Sequence, residues 1–165
     1  MNGIIARIAL LLALCPSGLG ETSSGPQTAV GEAAPQHPSP TDVYEAVLRY
    51  QIKTWDLAAD SYCVKVNGED AELALLERFK PLRVKGASAC RQRTIERVLM
   101  QIVDRRTGKQ SVIFDMGKIR WSKGSEAEVD GGYVCASQCM AGGTYHVAWD
   151  GSRWVVTKFD VRVQS

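Results

Sequence analysis

From Thr94 to Val163 the apolar residues fall at alternate positions, and that period of two constrains the fold more than any other feature of the chain. Alternation marks strands with one covered face, so the second half of the chain must build a sheet. Five strand segments are expected. The first spans 95–104 and ends at the turn Arg105-Arg106-Thr107-Gly108. The second spans 110–121, where the inward set changes parity from Val112, Phe114 and Met116 to Ile119 and Trp121. Gly117 lies at that switch, and a β-bulge there accounts for both facts. Ala127, Val129, Tyr133 and Cys135 share one face of the third strand. A loop is expected over 138–143. The last two strands, 144–149 and 153–163, form a hairpin around Asp150-Gly151.

The first half reads differently. Ser39 can cap a helix, Pro40 suits its first position, and Asp42 complements its dipole. Tyr44, Val47, Leu48, Ile52 and Trp55 then recur at helical spacing, with the end expected near Ala58-Ala59. A short strand over 61–66 should stop at the turn Asn67-Gly68. A second helix is expected over 69–79, with acids first and cations last, closed by Pro81. Residues 82–93 read as an irregular connection. Helices first and an antiparallel meander last argue an α+β class, with the helices packed on one face of a curved, mainly antiparallel sheet.

Before this lies a leader. Arg7 is the only charge in the first twenty residues, the run from Ile8 to Cys15 is apolar, and Gly18-Leu19-Gly20 offers small residues before a cut. These are the parts of a secretory signal over 1–20, and the mature chain is expected to begin near Glu21 in a periplasmic or secreted location. The apolar run is far shorter than the roughly 18–20 residues that span a bilayer, and no later segment is long enough for a transmembrane span. Leu12-Ala13-Leu14-Cys15 also resembles a lipobox, but Leu14 replaces the small residue that pattern wants before its cysteine, so lipid anchoring through Cys15 is the lesser reading. Residues 21–40 hold four of the six prolines, and Val30 is their only large apolar side chain, so a disordered linker is expected there. One domain over 41–165 remains. Arg7, Glu21 and Glu32 fall outside it, which leaves 19 basic against 16 acidic residues. That small, scattered excess argues against a nucleic-acid partner.

Beyond the leader the chain has four cysteines, Cys63, Cys90, Cys135 and Cys139. An even number in a small exported domain points to structural disulfides, for which three pairings exist. Only three residues separate Cys135 from Cys139, and a tight turn can bring the pair together. That leaves Cys63 for Cys90. The Cys-x-x-x-Cys spacing differs from the Cys-x-x-Cys of thiol oxidoreductases.

Other residues with chemistry are few. His146 is the only histidine past the linker, and by strand parity it points away from Tyr145, Val147 and Trp149. Histidine is a natural general base near neutral pH, yet no partner for it can be placed from sequence. Asp104, Asp115, Asp130 and Asp160 fall on strands, while Tyr62, Tyr133 and Tyr145 could line an interior where an acid and a tyrosine transfer protons. Cys135, Cys139, Met140 and His146 are soft metal ligands, but their spacing fits neither a zinc tetrahedron nor a copper site, and no cofactor is expected. Trp149 and Trp154 flank one turn and are expected to pack across it, with Trp121 a third sheet aromatic. The chain has no phosphate-loop motif, zinc-finger spacing or Ser-His-Asp set.

Three stretches carry a resemblance. Gly132-Tyr133-Val134-Cys135-Ala136-Ser137-Gln138-Cys139, Gly142-Gly143-Thr144-Tyr145-His146-Val147 and Asp150-Gly151-Ser152-Arg153-Trp154-Val155-Val156 are similar to the C-terminal halves of small exported bacterial proteins. With the helix-first order and long bulged strands, the chain resembles the NTF2-like (cystatin-like α+β) superfamily. That resemblance implies a helix-covered cone and no particular activity. A strand between the two helices departs from the order the superfamily would give. The expected function is an exported, non-catalytic module that binds a small ligand or partner protein, or dimerises through its open sheet face. The alternatives are a small enzyme with an acid, Tyr or His146 in a pocket, and a structural envelope protein.

Overall fold

In the computed structural model, residues 39–55, 57–96 and 99–165 are described. The leader over 1–20 and all but the last two residues of the linker over 21–40 lie outside them. The expected helix forms as α1, Pro40–Trp55, and ends short of Ala58-Ala59, where residues 57–59 are already non-helical. One face, Val43, Tyr44, Ala46, Val47, Leu48 and Gln51, is buried, as helical spacing dictates. β1, Ser61–Val66, follows as expected.

The chain then departs from the sequence reading. Asn67 and Gly68 take positive φ angles of 54° and 89°, the geometry of a tight two-residue hairpin turn. Glu69–Asp70 therefore fold back as β2 against β1. The second helix shrinks to α2, Leu73–Glu77. The stretch read as irregular also pairs. β3, Val84–Gly86, lies parallel to β1, and β4, Cys90–Ile95, is antiparallel to β5, Leu99–Asp104. β6, Ser111–Lys123, runs parallel to β1 and antiparallel to β7, Glu126–Ala136. β8, Cys139–Trp149, and β9, Trp154–Gln164, complete a nine-stranded sheet.

The α+β class is thus corrected. The described chain is mainly β, a curled sheet with one helix longer than five residues, and not the helix-packed cone that the NTF2-like resemblance implied. The reason is strand pairing: the segments around 69–70 and 84–95 find strand partners, which converts helix and loop into sheet. The expected loop over 138–143 also goes into β8. Gly131 pairs with Gly143 and Gly132 with Gly142. A methyl group at Gly132 or Gly143 would fall 2.0 Å from a backbone carbonyl oxygen, of Ala141 and Asp160 respectively. These glycines mark where the strands approach most closely as the sheet curls.

Other expectations hold. The β6–β7 register shifts between Met116 and Ile119, so Gly117 and Lys118 form the bulge. Val112, Phe114, Met116, Ala127, Val129, Cys135 and Tyr145 form the main core under α1, with Tyr133 and Ile119 packed against it. A smaller core of Cys63, Cys90 and Ile102 lies on the alternate positions, with Ile113 and Val134. Among the described residues, β9 pairs only with β8. Its register shifts twice and it carries Lys158 and Arg162, devices that blunt a sheet edge against another strand.

Candidate binding cleft

A cleft of about 530 Å³ opens between the start of α1, the Asn67-Gly68 turn, α2 and the bulged part of β6. Tyr44, Val66, Leu75 and Ile119 give it an apolar lining, and Trp121, 42% exposed, forms a wall. The Tyr44 hydroxyl donates to the Gly117 carbonyl at 3.1 Å and lies 3.3 Å from the Asn67 amide nitrogen, which donates to it. The bulge and the hairpin turn thereby fix the ring. Glu69, Asp70 and Glu72 stand on the rim with Lys118. Asp70 accepts from the Ser88 backbone N–H at 2.6 Å and from its hydroxyl, which holds its carboxyl below the usual range. Glu69 and Glu72 have no side-chain partner among the described residues. The volume suits a small molecule.

The cysteines are brought together as spacing suggested. Cys63 and Cys90 have Cα atoms 6.2 Å apart and Cys135 and Cys139 5.4 Å apart, both at disulfide distance. His146 lies seven positions along β8 from Cys139, roughly 23 Å at ~3.3 Å per residue, so it cannot share a metal with the cysteines. Among the described residues no group of three or more metal-ligating side chains occurs.

His146 has the partners that sequence could not place. Its Nε2 is 2.8 Å from Asp160 on β9, and its Nδ1 is 3.5 Å from Glu128 on β7. The ring is still about one-third exposed. It stands beside a ladder of ion pairs across the outer sheet face, with Arg120 paired to Glu128 and Asp130, Lys158 to Asp160, and Arg162 to Asp130. Arg120 and the Thr144 hydroxyl hold the Asp130 carboxyl down at about 2.

The other acids are committed elsewhere. Asp115 pairs with Lys65 at 2.9 Å. Asp104 is buried against Lys85, and the Lys85 ammonium together with the Thr107 and Arg106 N–H groups keeps it well below the carboxylate range. Tyr62, Tyr133 and Tyr145 sit in the helix-covered core instead, at positions that alternate with those of the acids. Tyr62 stacks on Phe114 and Tyr133 meets Trp55 at 5.0 Å. Trp149 and Trp154 pack across their turn at 6.0 Å, and Trp121 extends the set to Trp154.

The sequence reading missed one buried polar group. Gln51 is fully buried and donates to the Gly132 carbonyl and the Tyr145 hydroxyl, 3.1 Å each. Glutamine on the apolar face of a helical repeat was its only signal.

No family model, curated protein or solved structure matches the chain. No helix among the described residues is long and apolar enough to cross a membrane.

Proposed function

We propose that this protein is an exported binding module that holds a small organic cation in the cleft between α1, α2 and β6. Two cysteine pairs at bonding distance support an oxidising compartment. The observation that carries the ligand class is the pairing of aromatic walls with unpartnered acids. Tyr44 and Trp121 line the cleft, and Glu69 and Glu72 stand on its rim beside Lys118 with no ion pair among the described residues. An ammonium group gains from an aromatic face and from nearby carboxylates together. The rival reading, a small enzyme, needs an acid beside a tyrosine or histidine in a pocket. That reading finds less support: Asp115 and Asp130 are in ion pairs on the face away from Tyr62, Tyr133 and Tyr145, and the contact of Asp160 with His146 lies on that same part-exposed face, outside the cleft.

Titration with benzyltrimethylammonium, followed by backbone amide NMR, tests the proposal. Resonances of Asn67, Ile119 and Trp121 should shift saturably, and the E69Q/E72Q variant should bind about tenfold more weakly, the loss of two modest charge contacts. Shifts confined to other surfaces, or equal affinity in the variant, would overturn it.

A further inference from the structure

A second cleft, of about 310 Å³, opens between the start of β1, β3 and the turn joining β5 to β6. Four cations line it, Arg83, Lys85, Arg106 and Lys109, against two carboxylates, Asp60 and Asp104. Both lysines are committed: Lys85 to the buried Asp104 and Lys109 to Asp60 at 3.1 Å. Asp104 is saturated further by the backbone N–H groups of Arg106 and Thr107, 2.8 Å each, and by the Ser61 hydroxyl at 3.4 Å. The two arginines remain. Neither guanidinium has a hydrogen bond or an ion pair among the described residues.

Both arginines are exposed to solvent on this one concavity, where four cations face two carboxylates and leave a net positive charge. The backbone at both arginines is held in place. Arg83 takes a φ of 53°, a left-handed conformation that side chains other than glycine and asparagine disfavour. It closes the turn over 80–82, its N–H donating to the Lys80 carbonyl, and its own carbonyl accepts the Tyr62 N–H at 3.3 Å, which ties it to β1. Arg106 rides on the turn that Asp104 staples through two backbone N–H groups. Thr107, on the same turn, adds a hydroxyl to the lining.

We propose that this cleft binds a phosphate-type oxyanion, with Arg83 and Arg106 as its two principal contacts. The planar guanidinium fork matches the oxygens of a phosphate monoester, and charge-assisted hydrogen bonds of this kind are the strong ones. The volume lies at the low end of the ~300–1,000 Å³ typical of small-molecule sites, which fits a small phosphorylated compound. The site stands independently of the acidic-rimmed cleft of α1 and β6.

The full chain is titrated with inorganic phosphate and with phenyl phosphate, ionic strength being held constant with sodium chloride to remove general screening. Vesicles containing phosphatidic acid form a third arm. The arginine Nε resonances of Arg83 and Arg106 are followed by NMR. Both should shift saturably with phenyl phosphate, and R106Q should weaken binding about tenfold or more, the usual value of a charged hydrogen bond. Arg106 is exposed and only its backbone N–H holds the turn, so R106Q is expected to keep the fold and the test survives if R83Q perturbs its left-handed backbone. Binding to the vesicles but not to phenyl phosphate, lost in R106Q, would assign the same oxyanion chemistry to a lipid headgroup. No saturable shift in any arm, or unchanged affinity in both R106Q and R83Q, would overturn the proposal.

Discussion

The side-chain amide of Gln51 donates to the hydroxyl of Tyr145 at 3.1 Å, between two residues that are both fully buried. The same nitrogen reaches the Gly132 carbonyl, so a single helix side chain ties α1 to β7 and β8. Burial raises the Tyr145 pKa above its ordinary value, in line with a hydroxyl kept neutral in the core. Q51L leaves two buried groups without their donor and should cost about 1–3 kcal/mol. Y145F removes one hydroxyl and should cost about 0.5–1.5 kcal/mol. In the double variant the costs should fall short of their sum, because each substitution removes part of the other's penalty. Denaturant unfolding of the four proteins measures this, and strict additivity would show the contact to be energetically idle.

The two cysteine bridges should differ in value. They close 27 and 4 positions of sequence separation. The chain-entropy treatment then gives about 3.6 kcal/mol for Cys63–Cys90 and about 2 kcal/mol for Cys135–Cys139. C63A/C90A should therefore lower stability by more than C135A/C139A, with an added loss from opening the small core around Ile102. Unfolding of both variants under non-reducing conditions checks the order, and four titratable thiols in the unreduced wild type would refute the pairing.

Gly143 should tolerate no side chain. A Cβ there would sit 2.0 Å from the Asp160 carbonyl oxygen and 2.9 Å from the Phe159 ring. G143A must push β9 away from β8 and should cost about 1–3 kcal/mol or more. Gly124, on the turn before β7, has nothing within reach of a Cβ. G124A is therefore the control, and equal losses in the two variants would contradict the close approach.

What was legible in the sequence follows from the range of the forces involved. α1, β1, the Gly117 bulge and the Trp149–Trp154 contact are set by local periodicity and turn chemistry, and all four appear. The extent of the sheet is not legible locally because β2, β3 and β4 are short or polar. Arg91, Gln92, Arg93 and Thr94 are all exposed on β4 and carry no alternation. Such strands exist because a partner strand accepts their backbone groups, and that is a non-local fact. Gly142 and Gly143 misled for the same reason: glycine signals a turn locally, whereas here it admits a neighbouring backbone. For the clefts, Glu69 and Arg83 gave no signal at all, since their significance is the lack of an ionic partner in space.

His146 should matter little to stability despite its two carboxylate neighbours. Its ring is about one-third exposed, and the Asp160 and Glu128 side chains that face it are 45% and 40% exposed. Exposed pairs of this kind contribute about 0–1 kcal/mol. H146Q should fall within that range by thermal unfolding. A loss several times larger would show the ladder of the outer face to act as one cooperative unit.

Asp104 should control the acid limb of stability. Its side chain is 2% exposed and is held by Lys85, two backbone N–H groups and Ser61. The carboxyl therefore titrates well below its unfolded value in the folded chain, chiefly through the Lys85 hydrogen bond and the Thr107 N–H. A depressed carboxyl contributes stability that is fully present above its unfolded pKa of roughly 3.9 and is lost as pH falls toward the folded value. The wild type should thus lose stability steadily below about pH 4. D104N keeps an acceptor for the turn but leaves Lys85 without its counter-charge, about 31% exposed. Its cost near neutral pH should be about 2–4 kcal/mol, less than for a fully buried pair because Lys85 reaches solvent. The difference between wild type and D104N should then shrink as pH drops through the acid range, since protonation removes the charge that distinguishes them. Chemical denaturation from neutral pH down to strongly acidic buffer measures both quantities. A D104N penalty that stays constant across this range would mean that the carboxylate is held by shape and not by charge.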